Sequence, residues 1–263
     1  VATCFTVNEA VAETRRYLED NGIPTFDAPD CAVRALAMLT QATFSVSHPL
    51  AEVPAAQHPI LDRAAEEGRH LLEPEALDFL SDHGIAVMPH VLARTREEAQ
   101  RAAMEMSGPV VLKVVSPQII HKSDVGGVRI DLQGSEAVGQ GYDRLLEDVR
   151  RAAAAASIHG VLVVPMAQPG TEFIIGMMRD AQFGPTIMFG MGGVFVELFR
   201  DVSFRVAPFG EEVALDMIEE TRGYRVLQGM RGERPKDVAG LAELLVQVSQ
   251  LAARYPQIRE IDL

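Results

Sequence analysis

The segment from Leu112 to Val128 concentrates the residues of this chain that could do chemistry. Lys113 lies within an apolar run, His121 follows in a polar stretch, and Gly126 and Gly127 close the segment. A lysine in an otherwise apolar strand is costly to bury unless its charge is paired. Lys113 therefore calls for an anion, either a phosphate or a carboxylate, unless it points outward from an edge strand.

His121 is the candidate nucleophile. A neutral imidazole nitrogen can attack phosphorus and hold the phosphoryl group covalently, and cations such as the neighbouring Lys122 would stabilise the transferring charge. The alternative is a solvated loop histidine. The other six histidines show no spacing typical of metal ligands.

Two glycine-rich segments could bring the backbone close to a ligand. Gly126 and Gly127 could aim their N–H groups at phosphate oxygens, although a glycine pair is also common in a hairpin turn. The second segment, 189–197, fits neither a Walker A sequence nor a dinucleotide-binding fingerprint. Glu172 before it and Glu197 within it could bind a ribose hydroxyl or a metal ion, or be solvated carboxylates at strand ends.

Composition narrows the class of partner. The 263 residues carry 24 basic and 37 acidic side chains, a net charge of −13. Such a surface disfavours nucleic acid and anionic membranes, but it leaves room for a local site that binds an anionic nucleotide. Two cysteines provide neither a disulfide framework nor a zinc site, and no apolar run could span a bilayer. A cytoplasmic protein is expected.

Both helices and strands are predicted among the elements that would position these residues. Residues 1–43 are predicted to form helix, strand and helix, the tail of an α/β unit. Residues 44–58 have linker composition. The remainder, 59–263, alternates helices with apolar runs, including strands at Ile85–Ala93, Val110–Val115 and Val128–Leu132. We expect α+β layers with antiparallel strands.

These segments together resemble a known family. The run Lys-Val-Val-Ser-Pro-Gln-Ile-Ile-His-Lys-Ser-Asp-Val-Gly-Gly-Val, followed by Phe183-Gly184-Pro185 and Gly192-Gly193-Val194-Phe195-Val196-Glu197, looks like the ATP-grasp part of ADP-forming acetyl-CoA and acyl-CoA synthetases. More distantly it is similar to the β subunit of succinyl-CoA synthetase. The resemblance covers roughly 70–263. It implies an ATP-grasp fold of two α+β subdomains over 59–263, preceded at 1–43 by the end of a flavodoxin-like ligase-CoA domain.

The resemblance also implies roles for individual residues. His121 would be a phosphohistidine, ATP or ADP and Mg²⁺ would be the cofactors, and Lys113 would contact the nucleotide phosphates. The stretch 164–167 would form the hinge that reads the adenine edge. The implied nucleotide-binding residues are Lys113, Ser123, Gly126, Gly127, Val164, Met166 and Glu172. The implied metal ligands are Asp262 and Glu197. Further magnesium ligands of the family would follow Leu263, so we expect the metal site within this sequence to be incomplete.

The function implied is phosphoryl exchange between a phosphohistidine and ADP, within the reaction acyl-CoA + ADP + phosphate ⇌ carboxylate + ATP + CoA. The partner would be a CoA-binding domain or an α-type subunit of the same enzyme. An alternative is the non-catalytic, regulatory ATP-grasp-like region of a protein lysine acetyltransferase. A third is a scaffold whose glycines form turns and whose His121 is solvated.

Overall fold

The computed structural model describes residues 3–4, 12–26, 29, 32–33, 53–193, 201–229 and 234–263. The chain divides into two compact units, Val1–Ala51 and Glu52–Leu263. In the first unit, strand β1 (Thr3–Cys4), helix α1 (Ala12–Asp20) and strand β2 (Thr25–Phe26) follow one another. The two strands pair in parallel. Most of the second helix predicted for this region lies outside the described residues.

The second unit contains the other elements whose bounds the structure describes. Its helices are α2 (Pro59–Glu66), α3 (Glu73–Asp82), α4 (Arg96–Glu105), α5 (Gly134–Ala152), α6 (Glu211–Glu219), α7 (Tyr224–Leu227) and α8 (Val238–Arg254). Its strands are β3 (Val91–Ala93), β4 (Val110–Val115), β5 (Val128–Leu132), β6 (Gly160–Pro165), β7 (Phe173–Asp180), β8 (Gly184–Met191), β9 (Val202–Val206) and β10 (Glu260–Asp262).

The first sheet of this unit has the strand order β3-β6-β4-β5, with every neighbouring pair antiparallel. Side chains alternate between the two faces of a strand. Leu112 and Val114 of β4 are fully buried in a core that also holds Val138 and Leu145 of α5. Lys113 lies between Leu112 and Val114 and therefore belongs to the opposite face.

The second sheet has the order β10-β7-β8-β9 and is also antiparallel throughout. Ile175, Met177, Ile187 and Phe189 bury one face of it in a core shared with α6 and α8. Met217 of α6 and Leu245 of α8 are fully buried in this core, so the two helices cover this face of the sheet. Phe204 of β9 lies on the opposite face, called the open face below, and keeps 54% of its surface exposed.

Helix α3 packs against both sheets. Near its C-terminal end, Phe79 and Leu80 belong to the core of the second sheet. Near its N-terminal end, Leu72 and Leu77 pack with Val115 and Leu162 of the first sheet. The start of α3 therefore lies on the same side of the first sheet as Lys113.

Most of the predicted elements are confirmed, with their ends moved by a few residues. Strands β4 and β5 match residue by residue. The strand predicted at Ile85–Ala93 was wrong in its first six residues, because β3 begins only at Val91. Ile85 and Val87 pack into the core of the second sheet without joining a ladder. In the part of the chain that the structure describes, no helix is long and apolar enough to cross a membrane.

Candidate active site

The anion that pairs with Lys113 is a carboxylate of the protein itself, that of Glu73. The Nζ of Lys113 lies 2.7 Å from Oε1 of Glu73, the first residue of α3. The same carboxylate also binds Lys122, whose Nζ lies 2.8 Å from Oε2. Two lysines that are close in sequence but carried by different elements thus meet on one carboxylate, and Lys113 does not face bulk water alone.

Local structure fixes Glu73 in place. Glu75 accepts a hydrogen bond from the backbone N–H of Leu72 and so caps the start of α3. Arg69 donates two nearly parallel bonds to Glu75, of 2.6 and 2.9 Å. The partial positive charge at a helix N-terminus also favours carboxylates in the first turn. The start of α3 is therefore well ordered where it meets the lysines.

Burial and ion pairing oppose each other at Glu73. Burial alone would raise the pKa of its carboxyl group, but the hydrogen bonds from Lys113 and Lys122 outweigh burial and lower that pKa. Glu73 is therefore ionised at neutral pH. One negative charge faces two positive ones, which leaves a net positive site where a further anion could bind.

His121 precedes a 3₁₀ turn, Lys122–Val125, and is exposed. Gly126 ends the turn in the left-handed conformation, with φ of 68°. The N–H groups of both predicted phosphate-binding glycines bond within the turn. Gly126 N–H donates to Ser123 O over 3.1 Å and Gly127 N–H to Lys122 O over 2.7 Å. In this conformation the two amides close the 3₁₀ turn, so they do not point at a ligand. The segment is the long loop between the antiparallel strands β4 and β5, and the glycine pair is not a tight two-residue hairpin turn.

Close packing requires glycine at position 127. A Cβ atom there would lie 2.5 Å from Cγ1 of Val114 and 2.9 Å from the carbonyl oxygen of Lys122. Arg129 supports the turn from the far side by donating to Gly126 O over 3.0 Å and pairing with Asp148 of α5. The turn that presents His121 is therefore pressed against β4, the strand that carries Lys113.

Glu172 stands at the start of β7, exposed, beside the second glycine-rich segment. Its carbonyl accepts a hydrogen bond of 2.7 Å from Gly192 N–H. A Cβ at Gly193 would lie 3.1 Å from Oε2 of Glu172. These contacts place the Glu172 side chain against the glycines. Glu197, the other predicted acid, lies outside the described residues.

The predicted hinge, residues 164–167, includes the C-terminal end of β6 and the residues that follow it. Val164 pairs with Val111 in the ladder and is buried, whereas Met166 is partly exposed. The N–H of Met166 donates to Pro109 O over 2.8 Å. That amide is used by the protein, so an adenine edge at this hinge would have to use other backbone groups.

Asp262 lies on the open face of the second sheet. Residues that pair directly in an antiparallel ladder share a face, and the register places Asp262 beside Gly176, then Met188, then Phe204. Asp262 is exposed. The side chain of Met188 lies over Gly176, since a Cβ there would come within 3.1 Å of Met188 Cε. Within the described residues, no group of three or more His, Cys, Asp or Glu side chains could hold a metal ion without further ligands.

The sequence interpretation missed Glu73. Only its position in the first turn of a predicted helix marked it, and nothing in the sequence connected that helix to the lysines. Lys122 was noted as a neighbouring cation and not as a residue of the site. The geometry on the first sheet joins Lys113 and Lys122 on the carboxylate of Glu73, and His121 directly precedes Lys122 in the chain.

Residues 63–263 match the ATP-grasp domain family. The chain belongs to this family. The predicted ATP-grasp fold is thereby confirmed, and the two antiparallel sheets described above are its two layers. The match begins after the proposed linker and leaves the origin of residues 1–43 as a prediction.

The relatives that this chain matches include ADP-forming acetate–CoA ligases. The chain is 46% identical over 204 residues to the β subunit of an ADP-forming acetate–CoA ligase from Pyrococcus furiosus, with 78% of this chain and 88% of that subunit aligned. It is 42% identical over 268 residues to an ADP-forming acetate–CoA ligase from Archaeoglobus fulgidus, which covers 99% of this chain and 39% of the relative. This ATP-grasp chain therefore spans about two fifths of that longer relative.

Solved structures of one further relative agree. The acetyl-coenzyme A synthetase 1 of Candidatus Korarchaeum cryptofilum, described with coenzyme A and Ca-AMPCP, matches with a TM-score of 0.74 and 49% identity over 77% of this chain and 89% of that chain. Another structure of the same protein contains coenzyme A and Mg-AMPPCP, with a phosphohistidine segment pointing towards the nucleotide-binding site, and matches with a TM-score of 0.68 and 46% identity over 78% of this chain and 89% of that chain. The ATP-grasp chain is thus homologous to ADP-forming CoA ligases.

Proposed function

We propose that this chain is the nucleotide-binding and phosphoryl-transferring part of an ADP-forming acyl-CoA synthetase. The observation that carries the proposal is the cationic site on the first sheet. Lys113 and Lys122 are held together by Glu73, and the exposed His121 lies next to Lys122. Positioning and charge neutralisation are what phosphoryl transfer requires of a protein.

The proposed step conserves atoms and electrons. In the direction of ATP synthesis, a β-phosphate oxygen of ADP attacks the phosphorus on His121, the P–N bond breaks and its electron pair returns to the imidazole nitrogen. In reverse, an unprotonated nitrogen of His121 attacks the γ-phosphorus, the P–N bond forms and ADP leaves. Lys113 balances the negative charge on the phosphoryl oxygens in either direction.

The nucleotide is proposed to lie between Lys113 and the open face of the second sheet. Met188 and Phe204 offer apolar surface there for a base. Glu172 is assigned to the ribose or to the phosphates, and Val164 and Met166 to the adenine end. Ser123, Gly126 and Gly127 belong to the turn near the phosphates, where the two glycines shape the turn.

Magnesium fits this arrangement with Asp262 as a ligand. Mg²⁺ is usually held by one or two carboxylates together with substrate phosphates and water, so a single exposed carboxylate facing the nucleotide is compatible with it. Bound there, the ion would neutralise phosphate charge. Glu197 is kept as a second candidate ligand.

The full reaction needs a part that binds CoA and the acyl group. We infer that a CoA-binding domain or α-type subunit supplies it, since the Pyrococcus relative is a β subunit and the Archaeoglobus relative is longer than this chain. The proposed reaction is then acyl-CoA + ADP + phosphate ⇌ carboxylate + ATP + CoA. Because ATP and CoA are cytoplasmic metabolites, the proposed activity places the protein in the cytoplasm.

Labelling with ATP tests the proposal directly. We expect transfer of ³²P from γ-labelled ATP to the chain in the presence of Mg²⁺, as an acid-labile phosphoramidate. His121→Ala should abolish the label and leave ATP affinity, measured by calorimetry, within about twofold because the imidazole is not needed for binding. His70→Ala, at another exposed histidine, is the control. Nucleotide binding with no label in the unsubstituted chain would favour the regulatory, non-catalytic alternative.

A further inference from the structure

Glu73 connects three elements through one carboxylate. Its backbone starts α3, its Oε1 binds Lys113 of β4 over 2.7 Å, and its Oε2 binds Lys122 of the 3₁₀ turn over 2.8 Å. Each carboxylate oxygen binds one lysine, so neither lysine amine can move without breaking its bond to Glu73. His121 directly precedes Lys122, which makes this bond the nearest side-chain restraint on the histidine.

This ion pair differs from an ordinary surface pair. The side chains of Glu73 and Lys122 are each only 23% exposed, and that of Lys113 is 34% exposed. Exposed pairs usually contribute little because water and side-chain entropy offset the attraction. Here the carboxylate belongs to a helix start that Arg69 and Glu75 already fix, so little further ordering is needed to form the two bonds.

We propose that Glu73 is a positioning residue that sets the place of His121 by holding Lys122. Gly126 and Gly127 close the 3₁₀ turn with their N–H groups, and Gly127 packs on Val114. The Gly127 N–H donates to Lys122 O, so it also holds the backbone of Lys122. The Glu73–Lys122 bond adds a side-chain restraint at the end of the turn that bears His121, and it does so at the same carboxylate that binds Lys113. Glu73, a residue outside the motif, thereby restrains both the strand lysine and the residue next to His121.

The conformational part of this inference can be tested without any activity. Glu73→Gln keeps the size of the side chain, but it removes the negative charge, and its NH₂ group cannot accept a hydrogen bond from either lysine. We expect backbone amide exchange in the segment 121–127 to accelerate by about five- to tenfold, as for loss of one charge-assisted hydrogen bond. Exchange in β6, residues 160–165, should not change. Glu66→Gln, at an exposed glutamate of α2, is the matched control.

The catalytic part rests on the proposed function, and Lys122→Met tests it. We expect Glu73→Gln and Lys122→Met each to slow ³²P labelling of His121, and the double variant to be no slower than the more impaired single variant. Residues that act through one contact give such non-additive effects. If Lys122 instead touched the phosphoryl group directly, the two effects would multiply, and positioning through Glu73 would be refuted.

The two proposals can fail separately. If the unsubstituted chain takes no label, the phosphohistidine function fails, while the exchange rates still decide whether Glu73 holds the turn. If labelling occurs but exchange at 121–127 is the same in Glu73→Gln as in Glu66→Gln, Glu73 does not position the turn. Should Glu73→Gln fold poorly, Lys122→Met breaks the same bond from its other side, and unchanged exchange in that variant would overturn the inference equally.

Discussion

The guanidinium of Arg179 on β7 donates a 2.7 Å hydrogen bond to the main-chain carbonyl of Ala252 in the last turn of α8. It also donates to Tyr255 O over 3.2 Å and to Ile258 O over 3.0 Å. The last carbonyls of a helix have no partner within the helix. One arginine therefore satisfies the end of α8 and holds the connection that delivers Asp262 on β10.

Replacing Arg179 should loosen the Asp262 strand. Arg179→Met removes three hydrogen bonds to carbonyls, and we expect it to lower the free energy of unfolding by about 2 kcal/mol, as for partly buried bonds from a charged donor. Urea denaturation measures the change. Arg151→Met, at a side chain that is 68% exposed, should change stability by less than about 0.5 kcal/mol. Equal losses in both variants would contradict this role for Arg179.

Stability on the acid side should depend on Glu73. Because the pKa of Glu73 is lower in the folded than in the unfolded protein, its stabilising contribution is complete above about pH 4.5 and is lost as the pH falls through the folded value. Linkage then requires part of the acid-side loss of stability to come from this group. We expect a shallower fall below pH 4.5 in Glu73→Gln than in Glu66→Gln, measured by urea denaturation at several pH values. Parallel curves would show that the lysines do not lower this pKa.

Gly127→Ala should disturb the turn through packing alone. The new methyl group would lie 2.5 Å from Val114 Cγ1 and 2.9 Å from Lys122 O, so the turn must move away from β4. Overpacking of this kind typically costs about 1–3 kcal/mol. Thermal unfolding measures it, and Gly170→Ala, where the nearest atom lies 3.9 Å away, is the control. A Gly127→Ala variant as stable as Gly170→Ala would mean that the turn is not pressed on the strand.

Tyr255→Phe should weaken the joint between α3 and the end of α8. Tyr255 is 4% exposed, and its hydroxyl lies 2.7 Å from Nε2 of His83. Nδ1 of His83 lies 2.7 Å from Phe79 O; a carbonyl only accepts, so Nδ1 carries the proton and Nε2 accepts from the tyrosine. We expect a loss of about 1 kcal/mol, measured against Tyr17→Phe, where the ring is 68% exposed. A neutral effect in both would show that the hydroxyl bond adds nothing.

Two strands of the first sheet, β4 and β5, were predicted well from the sequence. The apolar run at 110–115 and the alternation at 128–132 both matched observed strands, because the flanking glycines and polar residues mark their ends clearly. The strand predicted from Ile85 failed for a physical reason. Alternating apolar residues there pack on a core without a neighbouring strand to bond, and alternation alone does not distinguish these cases.

The need of Lys113 for an anion was predictable from the sequence, but the residue that supplies the anion was not. The cost of burying a lysine indicated that Lys113 needs an anion, and a carboxylate was one of the two options. That the carboxylate is Glu73, 40 residues away, follows from packing of α3 on both sheets, which no local pattern encodes. The glycine pair was expected to face phosphate through its amides, whereas both amides close the turn.

The tight fit of Gly127 against Val114 has an evolutionary consequence. Position 127 requires glycine because space is limited there and not because glycine takes part in the reaction. The glycine should therefore be retained after catalytic activity is lost. A descendant that had exchanged His121 for an inert residue would still need hydrogen at the α-carbon of position 127. In the sequences of such descendants, loss of activity would therefore appear as a substitution at position 121, whereas position 127 would remain glycine.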